Sequence, residues 1–260
     1  MLTLSSKDNI NIKNTVKLLN NAKFRRKTGL FVAEGLRVCY DALLSGADID
    51  TVFATQGALD KHPEKIGELC EKSDRAFIVT NEIFSHISDT QTPQGVLCVI
   101  KTLDKVTEFD KIKNGGKFIA LENIQDPNNL GTVLRTAEAF GVSAVILTND
   151  CCDIYNPKVV RGSMGAVFRL PFYTVSGIAQ FLSENPDLTS YAAVVDKDAE
   201  PITNISFAKS SVAVIGNEGN GLTESAVNAC NHKITIPMGG KAESLNASAA
   251  ASIIIWEMVK

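Results

Sequence analysis

Three stretches of the sequence are rich in asparagine, glycine or serine in the manner of ligand-binding loops, and an arginine follows the first of them. They are NIQDPNNL (residues 123–130, followed by Arg135), VIGNEGNGL (214–222) and IPMGGKAESLNASAAAS (236–252). In the third, Gly239, Gly240, Ser244, Asn246, Ala247 and Ser248 leave backbone amides and a helix start uncovered, so a ligand can approach closely and accept hydrogen bonds. The same small residues would equally serve tight helix packing. The second stretch invites a dinucleotide reading, but Gly216, Gly219 and Gly221 fall in the order GxxGxG. The order whose second glycine admits a pyrophosphate is GxGxxG, which disfavours a nicotinamide enzyme. On a helix from about Gly131, Val133, Ala137 and Phe140 share the apolar face and Arg135 points away from it, toward ligand or solvent.

The elements that must position these stretches alternate between strand and helix. The runs LFVAEG, TVFAT, AFIVT and GVLCVI are short, β-branched and aromatic, and are separated by helical segments such as KHPEKIGELCEK. FRRKTG reads as a basic loop, because it carries three cations and an early Gly29. A charged segment, residues 101–116, ends in Gly115-Gly116 and reads as a linker between residues 1–100 and 117–260. Beyond it KFIALE, AVILTN, YAAVVD, SVAVIG and KITIPM are strands. Three of the strand ends run into Gly- or Asn-rich loops followed by helices, the position at which a mostly parallel sheet holds its ligands.

At 260 residues and 45% apolar content the chain can bury one large core or two ordinary ones. It has no apolar run long enough for a membrane span and its N-terminal residues lack a signal-peptide core, so a cytoplasmic protein is expected. Six cysteines without a CxxC pair and three scattered histidines argue against a metal site or a disulfide framework. The net charge of −3 is uneven: residues 1–40 hold eight Lys and Arg against Asp8 and Glu34. A basic segment on an acidic body is the footprint of local phosphate contact, and Arg25, Arg26 and Lys27 are the expected contacts.

Taken together, NIQDPNNLGTVLRTAEAFG, VIGNEGNGL and IPMGGKAESLNASAAA resemble, in order and spacing, the three motifs of the SpoU (TrmH-like) family of RNA ribose 2′-O-methyltransferases in the SPOUT superfamily. NPKVVRGSMGAVFRLPF resembles the family's pattern between the first two motifs. FRRKTGLFVAEG and SDTQTPQGVLCVI resemble the substrate-binding domain that often precedes them. The resemblance implies an α/β fold: a C-terminal SPOUT-type domain with a trefoil knot, usually a homodimer, after a smaller α/β domain of the ribosomal protein L30e-like fold. It implies S-adenosylmethionine as cofactor, no metal, and RNA, ribosomal in preference to transfer RNA, as substrate. A noncatalytic RNA-binding protein on the same fold is the alternative from another functional class.

By the same resemblance, Arg135 activates the ribose hydroxyl, Asn129 and Asn246 position groups, Glu218 has a structural or dimer-facing role, and Ser244 bonds near cofactor or target. Gly216, Ile236 and Leu245 offer backbone contacts to the cofactor and Met238 lines its pocket. Arg161 and Ser163, in VVRGS, fall on the RNA path or stabilise their loop. A guanidinium with a pKa above about 12 is a poor base. Two routes therefore stay open for Arg135: a transiently neutral base, or a cation that lowers the hydroxyl pKa while binding the adjacent phosphate.

Overall fold

The computed structural model describes residues 2–103 and 114–260, so most of the 101–116 segment read as a linker lies outside the described residues. The chain gathers into two compact units, one from Met1–Leu103 with Asp153–Phe168, the other from Asp104–Cys152 with Arg169–Lys260.

In chain order the first unit forms β1 (Leu2–Leu4), α1 (Ile10–Asn20), α2 (Ala22–Thr28), β2 (Leu30–Glu34), α3 (Leu36–Leu44), β3 (Ile49–Thr55), α4 (Gln56–Lys61), α5 (Pro63–Glu71), β4 (Arg75–Val79), α6 (Asn81–His86) and β5 (Val96–Lys101). Its sheet runs β1-β4-β3-β5-β2, with β1 and β3 parallel to β4, and β5 antiparallel to both β3 and β2. Ile12, Leu18, Val32, Phe53, Phe84 and Leu97 are among the side chains that fill one face.

FRRKTG, expected to be a loop, lies almost wholly in helix α2. Asn21 caps it by accepting from Phe24 N at 2.9 Å, and Gly29, at φ +65°, closes it in the left-handed conformation that favours glycine. The charge that argued against a helix is partly internal. Arg25 is only 4% exposed; its Nε and Nη2 both donate to Asp153 Oδ2 at 2.7 Å, and its Nη1 donates to Leu18 O at 2.5 Å. Arg25 is therefore corrected from an RNA contact to a buried ion pair, because its guanidinium is enclosed and each of its three nitrogens already has a partner inside the unit. Losing one member of such a pair strands the other's charge, so Arg25→Met should destabilise the protein by about 3–5 kcal/mol in urea unfolding. Unchanged stability with lost RNA affinity would restore the phosphate reading.

The second unit continues with β6 (Lys117–Leu121), α7 (Pro127–Ala139) and β7 (Ala144–Thr148). The chain then gives the first unit α8 (Pro157–Gly162), which packs on β2 within that unit, and makes α9 (Ala166–Arg169). It resumes with β8 (Phe172–Val175), α10 (Ile178–Glu184), β9 (Thr189–Ala193), β10 (Glu200–Pro201), β11 (Ser211–Ile215), α11 (Glu224–Ala229), β12 (His232–Thr235) and α12 (Ala247–Val259). The seven strands are all parallel, in the order β10-β12-β9-β11-β6-β7-β8. On the central strands Val214 pairs with Ala120 on one side and Ala192 on the other. Both sheet faces are covered, which is why these strands read as continuous apolar runs.

From β6 the chain winds outward through β7 and β8 on one side, then crosses to the other side of β6 for β9, β10, β11 and β12, with β11 beside β6 and β12 lying beyond β9. The loops after β6 and β11 therefore leave neighbouring strand ends in opposite directions, the switch point at which open parallel sheets bind ligands. Helix α7 starts four residues earlier than expected. Asp126 accepts from Asn128 N at 2.8 Å and Pro127 occupies the first turn, where its missing N–H costs nothing. Asn129 consequently sits in the first helical turn, where its position is fixed, and not in a loop. No helix among the described residues is long and apolar enough to cross a membrane.

Candidate active site

At the carboxyl ends of β9, β11 and β12 the second unit holds a cavity of about 410 Å3, within the range of small-molecule and cofactor sites. Gly216, Ile236, Met238 and Leu245 line it, as do Glu218 and Ser244. Asn129, Asn246 and Arg135 do not. Ala193, Val194 and Val195 complete a wall that the sequence reading missed, because apolar residues at a strand end look like any others.

The shape of the wall is set by backbone. A Cβ added to Gly216 would fall on the Gly221 carbonyl and Leu222 N, far inside the ~3.5 Å of a carbon contact. Asn217 and Gly221 exchange two backbone hydrogen bonds, both 3.0 Å, and close the loop on itself. Asn217 then fills it: its Oδ1 accepts from Gly219 N at 2.9 Å and Asn220 N at 3.0 Å, while its Nδ2 donates to Asn123 O at 2.8 Å. Asn123 itself adopts φ +54°, a left-handed conformation that asparagine tolerates better than most residues.

Asn129 and Asn246, off the cavity wall, join the three motif stretches in one hydrogen-bonded chain. Asn129, 5% exposed, donates from Nδ2 to Glu218 Oε1 at 3.0 Å and accepts at Oδ1 from Asn246 Nδ2 at 2.9 Å. Asn246 in turn accepts at Oδ1 from Ser248 N, Ser248 Oγ and Ala249 N, at 3.0, 2.7 and 3.2 Å, and so caps α12. Glu218 also accepts from Gln125 N at 3.2 Å and Asp126 N at 3.1 Å. Burial pushes the Glu218 carboxyl up, but the hydrogen bonds from Asn129, Asp126 and Gln125 outweigh it and hold it below its ordinary value. It is an anion at neutral pH, spent on donors, and not a poised proton acceptor.

Arg135 lies six residues beyond Asn129, about 9 Å along the α7 axis. Its side chain is exposed and has no hydrogen bond or ion pair among the described residues. On the first unit Arg26 and Lys27 are exposed, also without ion pairs among the described residues. Arg161 is engaged, with Nη1 3.2 Å from Asp89 Oδ2 and its side chain 38% exposed. Ser163 is fully buried and donates to Val160 O at 2.8 Å, so of its two readings, RNA path or loop stabilisation, its contacts fit the second. Among the described residues no group of three His, Cys, Asp or Glu could hold a metal ion.

Residues 116–256 match the SpoU rRNA Methylase family, and residues 9–98 match the MRM3-like substrate binding domain. The 23S rRNA (guanosine(2553)-2′-O)-methyltransferase RlmP of Bacillus subtilis (strain 168) is 28% identical, over 99% of each chain. The mitochondrial rRNA methyltransferase 3 of Xenopus laevis is 30% identical over 95% of this chain and 73% of its own. The crystal structure of an AdoMet-bound rRNA methyltransferase from Sinorhizobium meliloti superposes with a TM-score of 0.85 at 26% identity, covering 98% of this chain and 96% of that one.

Proposed function

The chain belongs to the SpoU rRNA methylase family, and from that membership we propose that it is an S-adenosylmethionine-dependent methyltransferase acting on a ribose 2′-hydroxyl of ribosomal RNA. The observation that carries this reading is the hydrogen-bonded chain Glu218–Asn129–Asn246, which draws the three motifs around one cavity. The cavity fits the cofactor: Leu222, Ile236, Met238 and Leu245 offer apolar walls to its base and carbon chain, and Gly216 and Ser244 add polar groups. When bound, that group supplies a methyl on a sulfonium sulfur. The transfer forms an O–CH3 bond at the ribose, breaks the S–CH3 bond and releases the hydroxyl proton.

The protein must hold the hydroxyl in line with the methyl and favour loss of its proton. Gly216, Ile236, Met238 and Leu245 hold the cofactor. Glu218, Asn129 and Asn246 fix the loops that carry those contacts, Ser244 bonds cofactor or target, and Arg135 meets the ribose hydroxyl and its neighbouring phosphate. The trefoil knot and an L30e-like first domain belong to the same reading, as does the cytoplasm as its compartment. Transfer of labelled methyl to unmodified ribosomal RNA and, separately, to transfer RNA, followed by nuclease digestion, tests it. A 2′-O-methyl nucleotide from the ribosomal pool is expected; label in transfer RNA alone would move the substrate, and cofactor binding without label in any RNA would leave an RNA-binding protein.

Two further expectations attach to this function. Arg26 and Lys27 contact phosphate, while Arg161, already paired with Asp89, contributes at the edge of the RNA path. Reversing Arg26 and Lys27 to Glu together should lower RNA affinity about tenfold or more at low salt and flatten its salt dependence; unchanged affinity would remove them from the interface. A second copy of the chain covers the exposed apolar side chains of α12: Trp256, 53% exposed and edge-on to Phe140 at 5.4 Å, and Ile253. Analytical ultracentrifugation should therefore return a species of two chains, and a monomer at micromolar concentration would refute the dimer.

A further inference from the structure

Glu122 is a buried carboxylate that the reaction above leaves without a part. It follows β6 directly, is 8% exposed, and accepts from Thr223 N at 2.8 Å and Thr223 Oγ1 at 2.9 Å. Its own N–H donates to Ile215 O at 2.9 Å. A carboxylate is kept so far from water only where such donors replace its hydration.

The two residues it holds are the two ends of one loop. Between Ile215 and Thr223 runs Gly216–Leu222, and every residue of that run lines the cavity. The loop is a closed hoop, tied across by the Asn217–Gly221 pair and by the contact of Gly216 with Gly221 and Leu222. Glu122 fastens one end through its backbone and the other through its carboxylate. Thr223 stands at the surface and in turn accepts from Ala226 N at 3.2 Å, which makes it the start of α11. Thus Glu122, the far end of the loop wall and the start of the next helix are joined in one hydrogen-bonded relay through Thr223.

We propose that Glu122 is a positioning residue for the cofactor site, acting through Thr223 to set where the Gly216–Leu222 wall stands. This rests on the S-adenosylmethionine reading given above. The backbone groups facing the cavity are only as well aimed as the ends of the loop that carries them, and outer-shell partners of a bound group commonly change affinity by about 10–100-fold.

Calorimetric binding of S-adenosylmethionine and of S-adenosylhomocysteine tests it, on the full chain. Glu122→Ala and Thr223→Val should each raise Kd about tenfold, on the scale set by such outer-shell partners. Because both break the same link, the double variant should be no weaker than the worse single one. Glu122→Gln should stay within about threefold of the unsubstituted protein, since its Oε1 still accepts the Thr223 N–H and its amide can donate to Thr223 Oγ1. Hydrogen exchange of the Gly216–Leu222 amides should quicken in Glu122→Ala while β6 and β11 stay protected. If Glu122→Ala does not fold, Glu122→Gln and Thr223→Val still decide. Unchanged Kd in Thr223→Val, strictly additive losses, or a Gln variant as weak as Thr223→Val would overturn the proposal alone. Absence of binding by the unsubstituted protein would overturn the cofactor reading and this inference with it.

Discussion

Arg135→Lys should lose methyl transfer by about 10²–10⁴-fold, the range over which a positioned proton-transfer or charge-stabilising group acts, with cofactor Kd unchanged. The side chain is exposed on α7 and bonds nothing among the described residues, so the substitution leaves the fold intact. It also lies off the cavity wall, which is why cofactor affinity should not move. What lysine removes is the planar fork. A point charge can attract a phosphate, but it cannot grip two oxygens while pointing a third N–H at a hydroxyl. Single-turnover transfer measured beside calorimetry separates the steps. Near-normal turnover would show that any cation suffices or that Arg135 stands away from the reaction.

Gly216→Ala should weaken cofactor binding by about 100-fold or more, because the new methyl runs into the Gly221–Leu222 peptide group that faces it across the loop. A flexible side chain could swing away; the Gly221 carbonyl and Leu222 N cannot move without opening the Asn217–Gly221 pair. The damage stays local, since β11 before it and α11 after it keep their own packing. Titration with S-adenosylhomocysteine, together with a thermal melt, would check this. Ordinary affinity in the alanine variant would mean that the loop shifts freely and that the wall seen here is one of several arrangements.

Much of this could be read before the fold was known. The alternation of apolar runs with helical segments gave the α/β class, and the cavity is lined by all four of the cofactor contacts expected from the resemblance. What stayed hidden depends on partners distant in sequence. Arg25 looked like a surface cation because nothing near it in the chain announces Asp153. Helix α7 was started at Gly131 because PNN looks like turn chemistry; the Asp126 cap and Pro127 at the first position reverse that reading. Glu122 and Asn217 carry no local signal at all, since their work is to bond Thr223 and Asn123, roughly a hundred residues away. The order of the seven parallel strands is likewise set by which apolar faces bury one another, and no local pattern of residues encodes it.

That strand order has a consequence during synthesis. Strand β6 is flanked in the finished sheet by β7, made shortly after it, and by β11, whose first residue follows Leu121 by 90 positions. At translation rates of about 5–20 residues per second, one edge of β6 waits roughly 5 to 20 seconds for its own partner. Throughout that interval Phe118, Ile119, Ala120 and Leu121 present unpaired backbone and apolar side chains to whatever else is emerging nearby. A parallel neighbour supplied so late leaves an open strand edge on the nascent chain, where pairing with another copy competes with completion of its own sheet.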